Sequence, residues 1–179
     1  MATTTTLVTV QEFLQMPEPE GEKLELIGGE VVSMGRGKIP HEVAKKNLNK
    51  LLVVWLAQNP IAELFPETMY QLDEYNSLIP DLGVIFPGRI SPGSSGWIQA
   101  APELAIEVVS SEPAERLEQK IELYLAHGSK SVWVVYPKQR VVRVFDATSK
   151  SRKFERSQLL EDPVLPGFSA PVSAIFEGI

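Results

Sequence analysis

The chain has 179 residues, of which 44% are hydrophobic and 22% are charged, so it is long enough to fold around a core as one soluble globular domain. It contains no cysteine, which excludes thiol catalysis and thiolate zinc sites, and its net charge of −6 argues against a dominant basic surface. No apolar run is long enough to span a bilayer and residues 1–6 lack the features of a signal peptide, so we expect a cytoplasmic location.

The N-terminal third predicts a short helix, a hairpin and a long helix. Thr9 and Glu12 have the spacing of a capping box, which predicts a helix that ends near Pro17. Residues 23–34 read as two strands around a tight Gly-Gly turn. Apolar residues then recur at helical spacing over residues 41–58, before an Asn-Pro stop.

The central third predicts strands. Residues 65–72 and 79–86 are two strands joined by a polar turn, and a loop rich in glycine, serine and proline covers residues 87–101. Residues 104–109 are apolar except for one acid, which is typical of a buried central strand.

The C-terminal third predicts a helix over residues 113–127, a buried strand over 131–136, a hairpin formed by 140–145 and 152–156, and a short terminal helix. Together the elements predict a single domain over residues 1–179 of the α/β (α+β) class, with a mixed central sheet flanked by helices and with N- and C-terminal hairpins. The strand-helix-strand unit should form a right-handed parallel crossover.

Two acids lie inside predicted buried strands: Asp81 in the strand at residues 79–86 and Glu107 in the strand at residues 104–109. A buried carboxylate costs several kcal/mol unless it is paired or binds a metal. If the two strands pair, the two carboxylates lie side by side at one end of the sheet, and Glu107 shares its face with Ala105 and Val109.

Lys120 lies on the helix that follows Glu107, at the rim of that helix's apolar stripe. Its long stem can cover apolar surface while the ammonium group reaches the two acids, and Tyr124 could support it. The alternatives are a plain ion pair between Lys120 and Glu107, and a solvated surface lysine.

Carboxylates with a lysine suit hard-cation chemistry, and the sequence has no HExxH pair, nucleophile elbow or phosphate-binding glycine loop. We expect Asp81, Glu107 and the Val108 main-chain carbonyl to bind Mg²⁺ or Mn²⁺, with Lys120 assisting catalysis. Accessory roles are assigned to His41, Glu42, Gln71 and Tyr124, while Glu25 is as readily a solvent-facing strand residue.

At these positions the sequence resembles the PD-(D/E)XK nuclease superfamily, whose motif is Pro-Asp followed on the next strand by an acid, a spacer and a lysine. Pro80-Asp81 matches the first half, and Glu107-Val108-Val109 matches the second half with valine in place of the lysine. The closer resemblance is to the Uma-type restriction endonucleases, formerly a domain of unknown function, in which the lysine is displaced to the position of Lys120.

This resemblance extends over nearly the whole chain, from the hairpin at residues 25–30 and His41 to residues 133–135 and 165–168. Ser111-Glu112 departs from the usual Pro-Ser, at the start of the helix rather than at the metal site. The resemblance implies an αβββαβ restriction-endonuclease-like core, a divalent metal, DNA phosphodiester cleavage and a homodimer. The alternative is a catalytically silent nuclease-fold module that binds nucleic acid or serves in assembly.

Overall fold

The structure is a computed structural model that describes residues 7–17, 19–20, 22–35, 37–90, 96–148 and 150–179. Part of the predicted loop (91–95) and Arg36 of the predicted turn before the long helix lie outside the described residues.

Four helices and twelve strands make up the described chain. The helices are α1 (Val10–Phe13), α2 (Ile39–Gln58), α3 (Ala114–Ala126) and α4 (Val172–Ile175). The strands are β1 (Lys23–Ile27), β2 (Glu30–Met34), β3 (Glu63–Pro66), β4 (Tyr70–Gln71), β5 (Ser77–Leu78), β6 (Leu82–Ile85), β7 (Leu104–Val108), β8 (Ser131–Tyr136), β9 (Val141–Asp146), β10 (Ser151–Phe154), β11 (Leu159–Leu160) and β12 (Ala170–Pro171).

The central sheet has six strands in the order β10-β9-β8-β7-β6-β3. Only β7 and β8 run parallel within it, joined by α3, and the other neighbours are antiparallel. The mixed sheet flanked by helices and the parallel crossover are therefore confirmed. A smaller sheet, in the order β2-β1-β5-β4, contains the N-terminal hairpin.

The two predicted central strands are shorter than the sequence indicated. Residues 65–72 are divided between β3 in the large sheet and β4 in the small one, and Glu67 between them has a left-handed φ of 48°. The predicted strand at 79–86 begins only at Leu82, because Pro80 has no N–H with which to extend the ladder. The Thr9–Glu12 capping box is present, but α1 ends at Phe13.

Each face of the central sheet is covered by a different helix. Leu104, Ile106 and Val108 of β7 face the apolar side of α2. Ala105 and its neighbours on β8 pack instead against Leu117, Ile121 and Tyr124 of α3. Because side chains alternate along a strand, Glu107 projects to the α3 side. No helix among the described residues is long and apolar enough to cross a membrane.

Candidate active site

Three acids follow one another along one edge of the central sheet. The last paired residues are Pro66 with Leu82, and Leu82 with Ile106. One residue beyond these pairs, the same two registers place Asp81 opposite Glu67 on one side and opposite Glu107 on the other. The side-by-side placement of Asp81 and Glu107 that the sequence predicted is thus present in the structure, and Glu67 is an addition to it.

Pro80 explains how Asp81 is held. Val109 N–H donates to Val135 on β8, so the polar backbone groups of Val108 face the β6 side. There the ladder would pair Val108 with Pro80, which has no N–H to donate. The Val108 N–H instead donates to Asp81 Oδ2 at 2.7 Å, and the Val108 carbonyl is left without the ladder donor that another residue would supply.

Lys120 lies at the centre of a buried cluster of charges. Its Nζ atom is 2.8 Å from Glu107 Oε1 and 3.1 Å from Glu25 Oε1. The Tyr124 hydroxyl donates to Glu107 Oε1 at 2.9 Å. The sequence predicted that Lys120 lies at the edge of the apolar stripe of its helix. Its side chain is in fact fully buried, because the small sheet that carries Glu25 closes over it.

Burial and mutual charge shift both members of the ion pair. Burial raises the pKa of Glu107 to about 8, against the effect of the Lys120 ammonium. Burial lowers the pKa of Lys120, but the carboxylates of Glu107 and Glu25 raise it well above its ordinary value. A positive charge on the cleft side of Glu107 would stabilise its ionised form.

Glu25 is a site residue that the sequence left undecided. It is fully buried, and its Oε1 atom accepts the Ile79 N–H at 2.6 Å while also facing Lys120. One carboxylate oxygen therefore links the hairpin, α3 and the segment leading to Asp81. The sequence did contain a signal for the burial of Glu25: it stands between two leucines in an apolar strand, much as Glu107 stands between an isoleucine and a valine.

His41 and Glu42 form the opposite wall of the site. His41 Nε2 lies 3.0 Å from Asp81 Oδ1, and His41 Nδ1 lies 3.1 Å from Glu42 Oε1. Although burial lowers the pKa of His41, the carboxylates of Asp81 and Glu42 raise it above its ordinary value. The imidazole is within hydrogen-bonding distance of Asp81 and can hold the orientation of its carboxylate.

A chain of ion pairs continues along this wall. Glu42 lies 2.9 Å from Lys45, Lys45 lies 2.6 Å from Glu67, and Glu67 lies 2.5 Å from Lys23. The Glu67 N–H also donates to the Asp81 carbonyl, which supports its left-handed backbone. Glu67 was not singled out from the sequence, in which it lies inside the predicted strand at residues 65–72.

Two further residues lie differently from what the sequence suggested. Gln71 is on β4 of the small sheet and is not among the residues that line the cleft. Glu112 does line it, next to Pro113 at the start of α3, and its Oε1 is buried without a hydrogen-bond partner among the described residues. Burial raises its pKa.

An open cleft of about 420 Å³ is lined by Asp81, Glu107 and Val108, with His41 and Glu42 in its wall. Two carboxylates and a main-chain carbonyl are the hard oxygen donors that Mg²⁺ or Mn²⁺ accepts, with water and substrate completing the coordination, so the donor set fits such a cation. No group of three His, Cys, Asp or Glu side chains suited to a metal occurs in the part of the chain that the structure describes.

A mixed sheet flanked by helices, with Pro-Asp and a glutamate at the ends of adjacent strands, defines the restriction-endonuclease-like class of nuclease folds. The family Uma2, described as "Putative restriction endonuclease", matches residues 10–173, and the chain belongs to this family. A crystal structure titled as a putative nuclease belonging to DUF820, from Anabaena variabilis, superposes with a TM-score of 0.83 at 23% identity, over 94% of this chain and 97% of that one. No curated protein matches the sequence.

Proposed function

We propose that this protein is a divalent-metal-dependent DNA endonuclease that hydrolyses phosphodiester bonds. The observation that carries the proposal is the placement of Asp81 opposite Glu107 at the end of two paired strands, with the Val108 carbonyl beside them, at the base of an open cleft. Membership of a restriction endonuclease family supports the nuclease reaction and DNA as the substrate.

Each residue of the site has a distinct part in this proposal. Asp81, Glu107 and the Val108 carbonyl would hold Mg²⁺ or Mn²⁺, which when bound neutralises the scissile phosphate and makes water a better nucleophile. Lys120 is enclosed behind Glu107, so it acts through that carboxylate: it opposes the rise in pKa that burial causes and holds the carboxylate in place. His41 orients Asp81 in the same way from the other side.

Nicking of supercoiled plasmid tests the proposal directly. The wild type should nick DNA in Mn²⁺ or Mg²⁺ and not in EDTA, whereas Asp81→Asn and Glu107→Gln should fall to background. Gln71→Ala serves as the matched control, because Gln71 does not line the cleft, and it should cleave as the wild type does. Equal cleavage by Glu107→Gln and the wild type would overturn the assignment.

The second candidate is a silent nuclease-fold module that binds nucleic acid or serves in assembly. The observation in its favour is that Lys120 and His41 already compensate the charges of Glu107 and Asp81 without a metal. Thermal unfolding separates the two candidates, because a cation that binds only the folded state raises Tm. An active site should show a rise in Tm with Mn²⁺ that Asp81→Asn abolishes, and a silent module should show none.

We also infer that the protein works as a cytoplasmic homodimer, in which two clefts act on the two strands of a duplex. Light scattering coupled to size-exclusion chromatography measures the oligomeric state. A dimer should accompany double-strand breaks, while a monomer that makes only nicks would contradict this part of the proposal.

A further inference from the structure

A second concave surface lies on the same edge of the central sheet as the active-site cleft. It is a groove of about 1150 Å³ where β8 ends, β9 begins and β10 ends. The cleft lies where β7 ends and β6 begins, and β7 runs parallel to β8. We call this surface the basic groove, and its cationic side chains are Arg140, Arg143, Lys153 and Arg156.

The charges of the basic groove differ from those elsewhere on this acidic chain. Arg143 and Arg156 are exposed, and neither has a carboxylate within 4 Å in the described ranges. The single acid of the groove, Glu155, is paired with Lys153 at 2.6 Å. A chain of net charge −6 thus keeps two uncompensated guanidinium groups together in one concavity. The two positive charges repel each other, and a bound anion would relieve this repulsion.

The sheet register aligns the basic groove with the active site. Glu107 is opposite Val134, Val134 is opposite Arg143, and Arg143 is opposite Lys153. Residues directly opposite one another project to the same face, so Arg143 and Lys153 share the face of Glu107. With strands about 4.8 Å apart, they lie roughly 10 and 14 Å from Glu107. Those spacings correspond to about three or four base-pair steps of duplex DNA.

We propose that the basic groove binds the phosphate backbone of the DNA substrate, about three or four base pairs from the phosphodiester bond that reacts. This inference rests on the proposed function, since it takes the ligand to be the DNA that the cleft cleaves. The arginine fork matches phosphate oxygens, which favours backbone contacts. Backbone contacts carry no base sequence information, so the groove sets the position of the duplex rather than its sequence.

Binding can be measured separately from cleavage. Fluorescence anisotropy of a fluorescein-labelled 20-base-pair duplex, in EDTA and over 25–200 mM KCl, gives the affinity and its salt dependence for the full chain. We expect the double variant R143Q/R156Q to bind roughly tenfold more weakly at low salt. Its plot of log K against log salt should be less steep by about 1.8, because each lost phosphate contact removes about 0.9.

Arg152→Gln is the matched control. Arg152 is an exposed arginine on β10, beside Lys153, but it pairs with Val144 on the opposite face of the sheet and lies over the Phe154 ring. Its loss should leave both affinity and salt slope unchanged. Circular dichroism of R143Q/R156Q should match that of the wild type, because neither arginine is buried.

The outcomes separate this inference from the proposed function. Equal affinity and slope for wild type and R143Q/R156Q would overturn the groove, while plasmid nicking would still stand. Absence of duplex binding by the wild type at 25 mM KCl would also overturn it. A reduced salt slope in R143Q/R156Q, without metal-dependent nicking by the wild type, would support DNA binding by the basic groove and contradict the proposed nuclease activity.

Discussion

Two groups of charged side chains meet at the active-site edge of the sheet, and they differ in their exposure to water. The buried triad consists of Glu25, Glu107 and Lys120, whose side chains are at most 5% exposed. The rim network consists of Lys23, Glu42, Lys45 and Glu67, three of which are 39–50% exposed. Ion-pair distances in the two groups are similar, from 2.5 to 3.1 Å.

Similar distances therefore correspond to different energies. An exposed ion pair contributes about 0–1 kcal/mol, because water screens it and ordering two long side chains costs entropy. A buried pair gains little over an apolar replacement, but loss of one partner leaves an uncompensated charge and costs about 3–5 kcal/mol. The buried triad should thus be sensitive to single substitutions, and the rim network should be tolerant.

The largest effect is expected for Lys120→Met. This change leaves the Glu25 and Glu107 carboxylates facing each other without a cation, so we expect a loss of about 3–5 kcal/mol in the free energy of unfolding. Urea denaturation measures it. Addition of Glu107→Gln should restore part of the stability, because the second change removes the facing charge.

Lys50→Met is the control for Lys120→Met, since Lys50 is an exposed lysine on α2 with no ion pair in the described part of the chain. Its effect should stay within about 0.5 kcal/mol. Equal stabilities of Lys120→Met and Lys50→Met would mean that Lys120 is not a buried cation that balances two carboxylates.

An intermediate effect is expected at Glu25, where a hydrogen bond and a charge can be separated. Glu25→Ala removes the acceptor of the partly buried Ile79 N–H, and loss of the partner of a buried donor costs about 1–3 kcal/mol. Glu25→Gln keeps a carbonyl oxygen in place and should recover at least half of that loss in urea denaturation. Equal losses for Ala and Gln would mean that the negative charge, rather than the hydrogen bond, is what matters.

The same contrast between the two groups explains how much the sequence could predict. Asp81 and Glu107 could be singled out because an acid inside an apolar strand is costly, whereas the pairing of their strands entered the sequence analysis only as a condition. The mixed sheet and the parallel β7–α3–β8 crossover could be predicted from the order of the strands and helices along the chain. The sequence signal is strong wherever burial makes a residue type improbable.

Exposed positions and contacts between distant segments carried no such signal. An acid at a strand end, such as Glu67, is common on any surface, so its two lysine partners could not be read from spacing. The full burial of Lys120 depends on the small sheet closing over α3, which periodicity within α3 does not report. The split of residues 65–72 between two sheets likewise depends on the left-handed backbone at Glu67.

The smallest effect is expected for Glu67→Gln, and it should depend on pH. Burial raises the pKa of Glu67, but the ammonium groups of Lys23 and Lys45 lower it further, to about 2. A lowered pKa means that the carboxylate stabilises the fold above about pH 4.5 and that this contribution is lost as the pH falls toward 2. Solvent screening at this half-exposed side chain limits the contribution to about 1 kcal/mol or less.

Urea denaturation at pH 7, 5, 4 and 3 tests this last expectation. Glu67→Gln should be less stable than the wild type at pH 7, and the two stabilities should converge as the pH falls below about 4.5. Glu63→Gln is the control, since Glu63 is an exposed acid at the start of β3, the strand that leads to Glu67, and has no ion pair in the described ranges; it should show no such convergence. A difference at pH 7 of several kcal/mol would mean that the rim network behaves like the buried triad, and the distinction drawn from exposure would fail.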